Sequence, residues 1–182
     1  MGKIVIIGSG NMGTGIAAIF LAAGHDVVVL GRTLPATEAR LPAMSALAAT
    51  LPTAGTYGRL TAAAVDDWND WDGVDLVMET IAEDLAAKQA LLALLDERVP
   101  AHIPIGSNSS GFGIDEMTAG LTTTKRMLNV HYSMPAHIVP MVEVALGTHT
   151  NPQLAEAVCR LITATGKKTT LIRQYIPGLL IA

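Results

Sequence analysis

Apolar and polar positions divide this chain into short segments of two kinds. The first kind is apolar at nearly every position and rich in β-branched residues: residues 3–7 (KIVII), 26–30 (DVVVL) and 74–80 (VDLVMET). Runs this short and this apolar predict strands covered on both faces, as in a parallel sheet. The second kind carries apolar residues at helical spacing: residues 14–24 (TGIAAIFLAAG), 83–99 (EDLAAKQALLALLDERV) and 151–166 (NPQLAEAVCRLITATG). Their punctuation fits helices too. Gly24 and Gly166 suit left-handed C-terminal positions, Asn151 suits an N-cap, and Pro152 suits the first helical turn. Residues 103–110, 126–133, 141–146 and 167–173 are further strand candidates. Residues 33–72, rich in Ala, Pro and Thr, read as one or two short helices with loops. Residues 175–182 (YIPGLLIA) read as a turn at Pro177-Gly178 leading into another element.

Strands alternating with helices predict a doubly wound, Rossmann-type α/β fold with a mostly parallel sheet and flanking helices. At 182 residues, a single dinucleotide-binding domain over 1–182 is expected. Half of the chain is hydrophobic but only 4% is aromatic, so the core is built from Ala, Leu, Val, Ile and Met, which suits close helix-on-sheet packing. A net charge of −4 argues against nucleic acid or an anionic membrane as partner. The lone cysteine, Cys159, allows no internal disulfide, and the apolar N-terminal run is too short for a signal peptide or a spanning helix. A cytoplasmic protein is expected.

Residues 8–13 (GSGNMG) form a G-x-G-x-x-G loop between the first strand and the first helix. Gly8 permits the tight turn, Gly10 lets backbone approach a pyrophosphate, and Gly13 lets helix and strand pack closely. With Ser9, Asn11 and Met12 they make up the candidate loop, and the helix N-terminus offers free N–H donors. A carboxylate at the end of the second strand ordinarily accepts hydrogen bonds from the ribose of NAD. Here that place holds Gly31, Arg32 and Thr33, while Asp26 opens the strand at its far end. An arginine fork and a hydroxyl suit a 2′-phosphate, so NADP(H) is the expected cofactor, with NAD accepted if Arg32 only stacks on adenine.

His131 and Glu143 flank an apolar, proline-broken stretch (HYSMPAHIVPMVEV). Taken alone they are either an ordinary buried polar pair or a general base and the carboxylate that orients it. The remaining histidines, His25, His102, His137 and His149, show no metal-ligand spacing. Trp68 and Trp71 read as covering a loop, and Cys159 as core.

Several stretches together give a family resemblance: GSGNMGTGIA (8–17), ETIAEDLAAK (79–88), SNSSGF (107–112), HYSMP (131–135), VPMVEV (139–144) and IPG (176–178). In order and spacing the chain resembles the N-terminal nucleotide-binding domain of the 3-hydroxyacyl-CoA dehydrogenase family. The resemblance implies that His131 is the acid/base, with Glu143 as its partner. It places Ser110 near the substrate hydroxyl and nicotinamide, and makes Glu83 and Lys88 cofactor contacts. The chemistry agrees. A secondary alcohol loses its O–H proton as hydride leaves carbon, histidine can take that proton, and Ser110 and Asn108 can hydrogen-bond the oxygen. The substrate implied is a small hydroxy compound, and a homo-oligomer is expected.

Three departures qualify the match. The family's pocket asparagine is Met134 here, which makes that wall more apolar. Residues 33–72 carry Arg40 and Arg59 but no lysine to hold CoA phosphates, so a smaller hydroxy acid is as good a substrate as a CoA ester. The family's C-terminal helical domain has no counterpart before Ala182, which suggests a fragment of a longer enzyme or a site completed by another chain. Two other classes remain open. One is an imine or ketone reductase, which needs no His131–Glu143 pair. The other is a non-catalytic dinucleotide-binding or redox-sensing module.

Overall fold

A computed structural model describes residues 2–53 and 55–173. The turn expected at Pro177-Gly178 and the IPG stretch lie outside these residues. Eight strands form one sheet in the order β3-β2-β1-β4-β5-β6-β7-β8. They are β1 (Lys3–Ile7), β2 (Asp26–Gly31), β3 (Leu60–Ala64), β4 (Val74–Glu79), β5 (Ile105–Ser107), β6 (Met127–Tyr132), β7 (Met141–Leu146) and β8 (Lys168–Ile172). The first six run parallel; β7 pairs antiparallel with β6, and β8 parallel with β7.

Alternation along the fully apolar strands explains the layers. Ile4 and Ile6 of β1, Val27 and Val29 of β2, and Leu76 and Met78 of β4 point into one core. Helices α1 (Asn11–Ala22), α3 (Leu41–Ala48) and α6 (Pro152–Thr163) contribute residues to the same core. Val5, Ile7, Val28, Leu30 and Val77 point the other way, onto α4 (Leu85–Arg98) and α5 (Ile114–Met117). Burial on both faces is why these strands read as continuous apolar runs. The cap expected at Asn151 is present, and Asp84 supplies a second. The Asn151 side chain accepts from the N–H groups of Gln153 and Leu154, and Asp84 accepts from Ala87 at the start of α4.

The segment 33–72 corrects the expectation of helices and loops alone. It holds α2 (Leu34–Glu38) and α3 but also the edge strand β3, whose sequence LTAAA is only partly buried and has a single β-branched residue, Thr61, among its alanines. A weak intrinsic strand signal is overridden by parallel pairing to β2. Trp68 and Trp71 pack edge to face at 4.7 Å over this side of the sheet, as expected for loop cover. Cys159 is half-buried on α6 and packs against the core.

The reversal at β7 follows from chain length. Only residues 133–140 separate β6 from β7, too few for the helical crossover a parallel partner needs. That turn is fastened from behind. The half-buried-to-buried Lys167 donates from Nζ to the Ala136 and Val139 carbonyls at 2.6 and 2.7 Å, and burial pushes its pKa down.

Candidate active site and cofactor cleft

Two adjoining cavities lie at the carboxyl ends of the parallel strands, where open α/β sheets bind ligands. The larger, of about 530 Å³, is lined by Gly8, Ser9, Gly10, Gly31 and Arg32 among others. The second, of about 320 Å³, is lined by Met12, Asn108, Ser110, His131 and Met134 among others. Thr80 and Ile81, just past β4, line both.

The glycine loop fits a phosphate-bearing ligand on its own geometry. Gly8 has φ +107°, a value that favours glycine, and a Cβ on Gly13 would stand 2.0 Å from the Gly8 carbonyl oxygen. These two glycines answer to the fold itself. Gly10 differs: it has ordinary φ −73°, and a Cβ there would meet nothing within 4 Å. Its lack of a side chain keeps open a space beside the first turn of α1, where N–H groups lack helical partners. Gly10→Ala is therefore expected to melt at the wild-type temperature while binding dinucleotide on the order of tenfold more weakly. Gly13→Ala, by contrast, is expected to lose about 1–3 kcal/mol of stability. Thermal melts and titration of both variants check this, and unchanged affinity in Gly10→Ala would count against a ligand at the loop.

Beneath the junction of the two cavities is a buried polar cluster. Lys88, 1% exposed, places Nζ 2.8 and 2.9 Å from the two oxygens of Glu79, which is fully buried and also accepts from Ser107 Oγ at 2.5 Å. Lys88 also reaches Glu83 Oε2 at 3.4 Å. Glu83 in turn accepts from Ser109 Oγ and from the Gly111 N–H. Burial alone would raise the Glu83 pKa, but the bonds from Ser109 and Gly111 and the Lys88 charge outweigh it and hold the carboxyl below its usual range. Both residues expected to touch cofactor therefore line the cavity. Each also braces the loops after β4 and β5. Glu79, the hub of the cluster, was not singled out from sequence; a glutamate closing an apolar strand was the available signal.

His131 and Glu143 face each other directly across the antiparallel β6–β7 pair. His131 Nδ1 lies 2.9 Å from Glu143 Oε2, with both residues buried. A carboxylate only accepts, so Nδ1 carries a proton, and in the neutral imidazole Nε2 then presents its lone pair. Asn108 Oδ1 accepts from the Tyr132 N–H at 2.9 Å, and its NH₂ has no partner among the described residues. The Ser110 hydroxyl has no partner among the described residues and lines the same cavity as His131. Three of the four residues expected to act chemically, His131, Asn108 and Ser110, thus line one cavity, and Glu143 is buried against His131.

Of the cofactor residues, Gly8, Ser9, Gly10 and Arg32 line the larger cavity, while Met12 lines the smaller. Asn11 and Thr33 are exposed beside them, at the starts of α1 and α2. Asp26 lies at the opposite end of β2, where the Arg59 N–H and guanidinium hold its pKa down. The other histidines stand apart from both cavities.

A glycine-loop cleft at the carboxyl edge of a parallel sheet, joined to a histidine–carboxylate pair, defines a nucleotide-binding oxidoreductase domain of Rossmann type. The family model for the 3-hydroxyacyl-CoA dehydrogenase NAD binding domain matches residues 3–175. The chain belongs to this family, as its N-terminal nucleotide-binding domain. Among its relatives, 5-formyl-3-hydroxy-2-methylpyridine 4-carboxylate 5-dehydrogenase of Mesorhizobium japonicum is 32% identical over 97% of this chain and 59% of its own length. The 3-hydroxyadipyl-CoA dehydrogenase of Escherichia coli K12 is 31% identical over 91% of this chain and 36% of its own. The crystal structure of a 5-formyl-3-hydroxy-2-methylpyridine 4-carboxylic acid 5-dehydrogenase, described as an NAD+-dependent dismutase, superposes with a TM-score of 0.87 at 28% identity. It covers 99% of this chain and 60% of that one. The chain therefore spans well under two thirds of these relatives. No helix among the described residues is long and apolar enough to cross a membrane.

Proposed function

We propose that this chain is the cofactor-binding and proton-transferring part of an NADP(H)-preferring dehydrogenase for a 3-hydroxyacyl or small 3-hydroxy acid substrate. The observation that carries the reading is the 2.9 Å His131–Glu143 pair, with His131 lining a cavity that adjoins the glycine loop. A nicotinamide bound in the cleft supplies the hydride acceptor. The chain's own residues supply the rest. His131 Nε2 takes the hydroxyl proton, and Glu143 holds the ring and stabilises the imidazolium that forms. The Ser110 hydroxyl and the Asn108 NH₂ donate to the oxygen as it becomes a carbonyl. In reduction the proton returns from Nε2 to that oxygen. Met134, 67% exposed at the cavity mouth, offers an apolar wall to an acyl chain.

Preference for NADP(H) rests on charge. No carboxylate lines the larger cavity, and Arg32 stands at its ribose end with no ion pair among the described residues. An NAD site would lose affinity from exactly the missing carboxylate, whereas a 2′-phosphate gains from the guanidinium. A single cysteine suits a reducing, cytoplasmic setting, and a homo-oligomer belongs to the same reading. Calorimetric titration tests the cofactor assignment: NADPH is expected to bind about tenfold or more tightly than NADH. NADH binding as tightly as NADPH would refute the preference and leave the dehydrogenase assignment to the activity test.

A further inference from the structure

Arg40 is the second basic group at the glycine loop, and it arrives there from the turn after α2. Its Nε–H donates to the carbonyl of Ser9 at 3.1 Å. Its backbone is fixed on both sides: the N–H bonds to the Thr37 carbonyl, and its own carbonyl accepts from Met44 in the first turns of α3. Thr37 is itself buried, with Oγ1 donating to the Thr33 carbonyl at 2.8 Å and its side chain closed over Gly31. The stretch from Gly31 to Arg40 is thus a tight, internally bonded arch. Arg32 and Thr33 stand at its start, and Arg40 at its end returns to the loop.

Three other arginines of this fold are already engaged. Arg59 pairs with Asp26, Arg126 binds Asp96 and three carbonyl groups, and Arg98 donates to the Val65 and Asp66 carbonyls. Arg40 keeps both terminal nitrogens without a partner among the described residues, is exposed, and lies against Ser9, which lines the cofactor cavity. A guanidinium held by Nε with two free Nη groups presents the parallel donors that match a phosphate.

We infer that Arg40 is a specificity-determining residue, the second arm of a two-arginine clamp with Arg32 on the 2′-phosphate of NADPH. This rests on the NADP(H) reading above and adds to it a residue outside the strand end where such readers are ordinarily sought. The Ser9 bond holds the guanidinium beside the loop before ligand arrives, which lowers the ordering cost of binding.

The test is titration of the wild type, Arg32→Ala, Arg40→Ala and Arg40→Lys with NADPH, NADH, adenosine 2′,5′-bisphosphate and 5′-AMP, with thermal melts of each. Arg40→Ala is expected to weaken NADPH and adenosine 2′,5′-bisphosphate about tenfold or more, and to leave NADH, 5′-AMP and the melting temperature unchanged. Lysine at 40 recovers only part of the loss, since it lacks the fork. If the wild type favours NADPH and Arg32→Ala alone abolishes that preference, the clamp is wrong and the NADP(H) reading survives. Equal weakening of all four ligands in Arg40→Ala would make the residue a loop brace and overturn the inference. A wild type that favours NADH overturns both, and does so before any variant is measured.

Discussion

His131→Ala is expected to bind NADPH as the wild type does and to oxidise 3-hydroxybutyryl-CoA or 3-hydroxybutyrate about 10²–10⁴-fold more slowly. The size follows from what the side chain does. In the proposed role its Nε2 is the base in the cavity, and Glu143, 2.9 Å from Nδ1, fixes the tautomer and offsets the charge that forms. Glu143→Gln keeps the shape but lets the amide donate to an unprotonated Nδ1, so it is expected to lose turnover with His131 still present. Steady-state rates with NADP+, set beside titrations of the same samples, separate chemistry from binding. Near wild-type turnover without His131 would favour the imine or ketone reductase class. Cofactor binding with no oxidation of any hydroxy acid by the wild type would favour a sensor module.

The second large effect concerns stability. Glu79→Ala removes both Glu79 oxygens from the Lys88 ammonium, which is 1% exposed and keeps the longer contacts to Glu83 Oε2 at 3.4 Å and the Ile81 carbonyl at 3.3 Å. Removing the close partner of a buried charge costs about 3–5 kcal/mol, a large share of the roughly 5–15 kcal/mol of a typical domain. The double variant Glu79→Leu/Lys88→Met, apolar at both places, is expected to recover most of that loss, because desolvating an ion pair is itself costly. Urea unfolding of the wild type, the single variant and the double variant measures it. A double variant as unstable as Glu79→Ala would show that the cluster's worth lies in its other bonds, to Ser107 and the Ile81 carbonyl.

Legibility in the sequence followed burial. β1, β2 and β4 are covered on both faces, so nearly every residue in them is apolar and their type is plain from composition. β3 escaped because an edge strand of alanines carries almost no intrinsic preference and is held by pairing alone. Helices α4 and α6 both showed their period, and α6 its cap as well, whereas α5, with four residues, is too short to display a period. At the site, His131, Glu143, Asn108 and Ser110 were found through motif order rather than spacing, since distance along the chain does not reveal an antiparallel pairing. Glu79 was passed over and Arg40 was weighed only against CoA phosphates, because what each reaches is set by the fold: Glu79 bonds Lys88 and Arg40 bonds the Ser9 carbonyl.

The β6–β7 pairing has a consequence for how the site assembles. Side chains alternate faces along a strand, so a slip of one residue in this hairpin would send His131 and Glu143 to opposite sides of the sheet. On the proposed function, proton transfer by His131 is therefore an all-or-none reporter of hairpin register. The glycine loop, at β1, does not depend on that register at all. A refolding chain followed by both signals should regain dinucleotide binding as β1, β2 and β4 come together, and turnover only once the hairpin has closed in register.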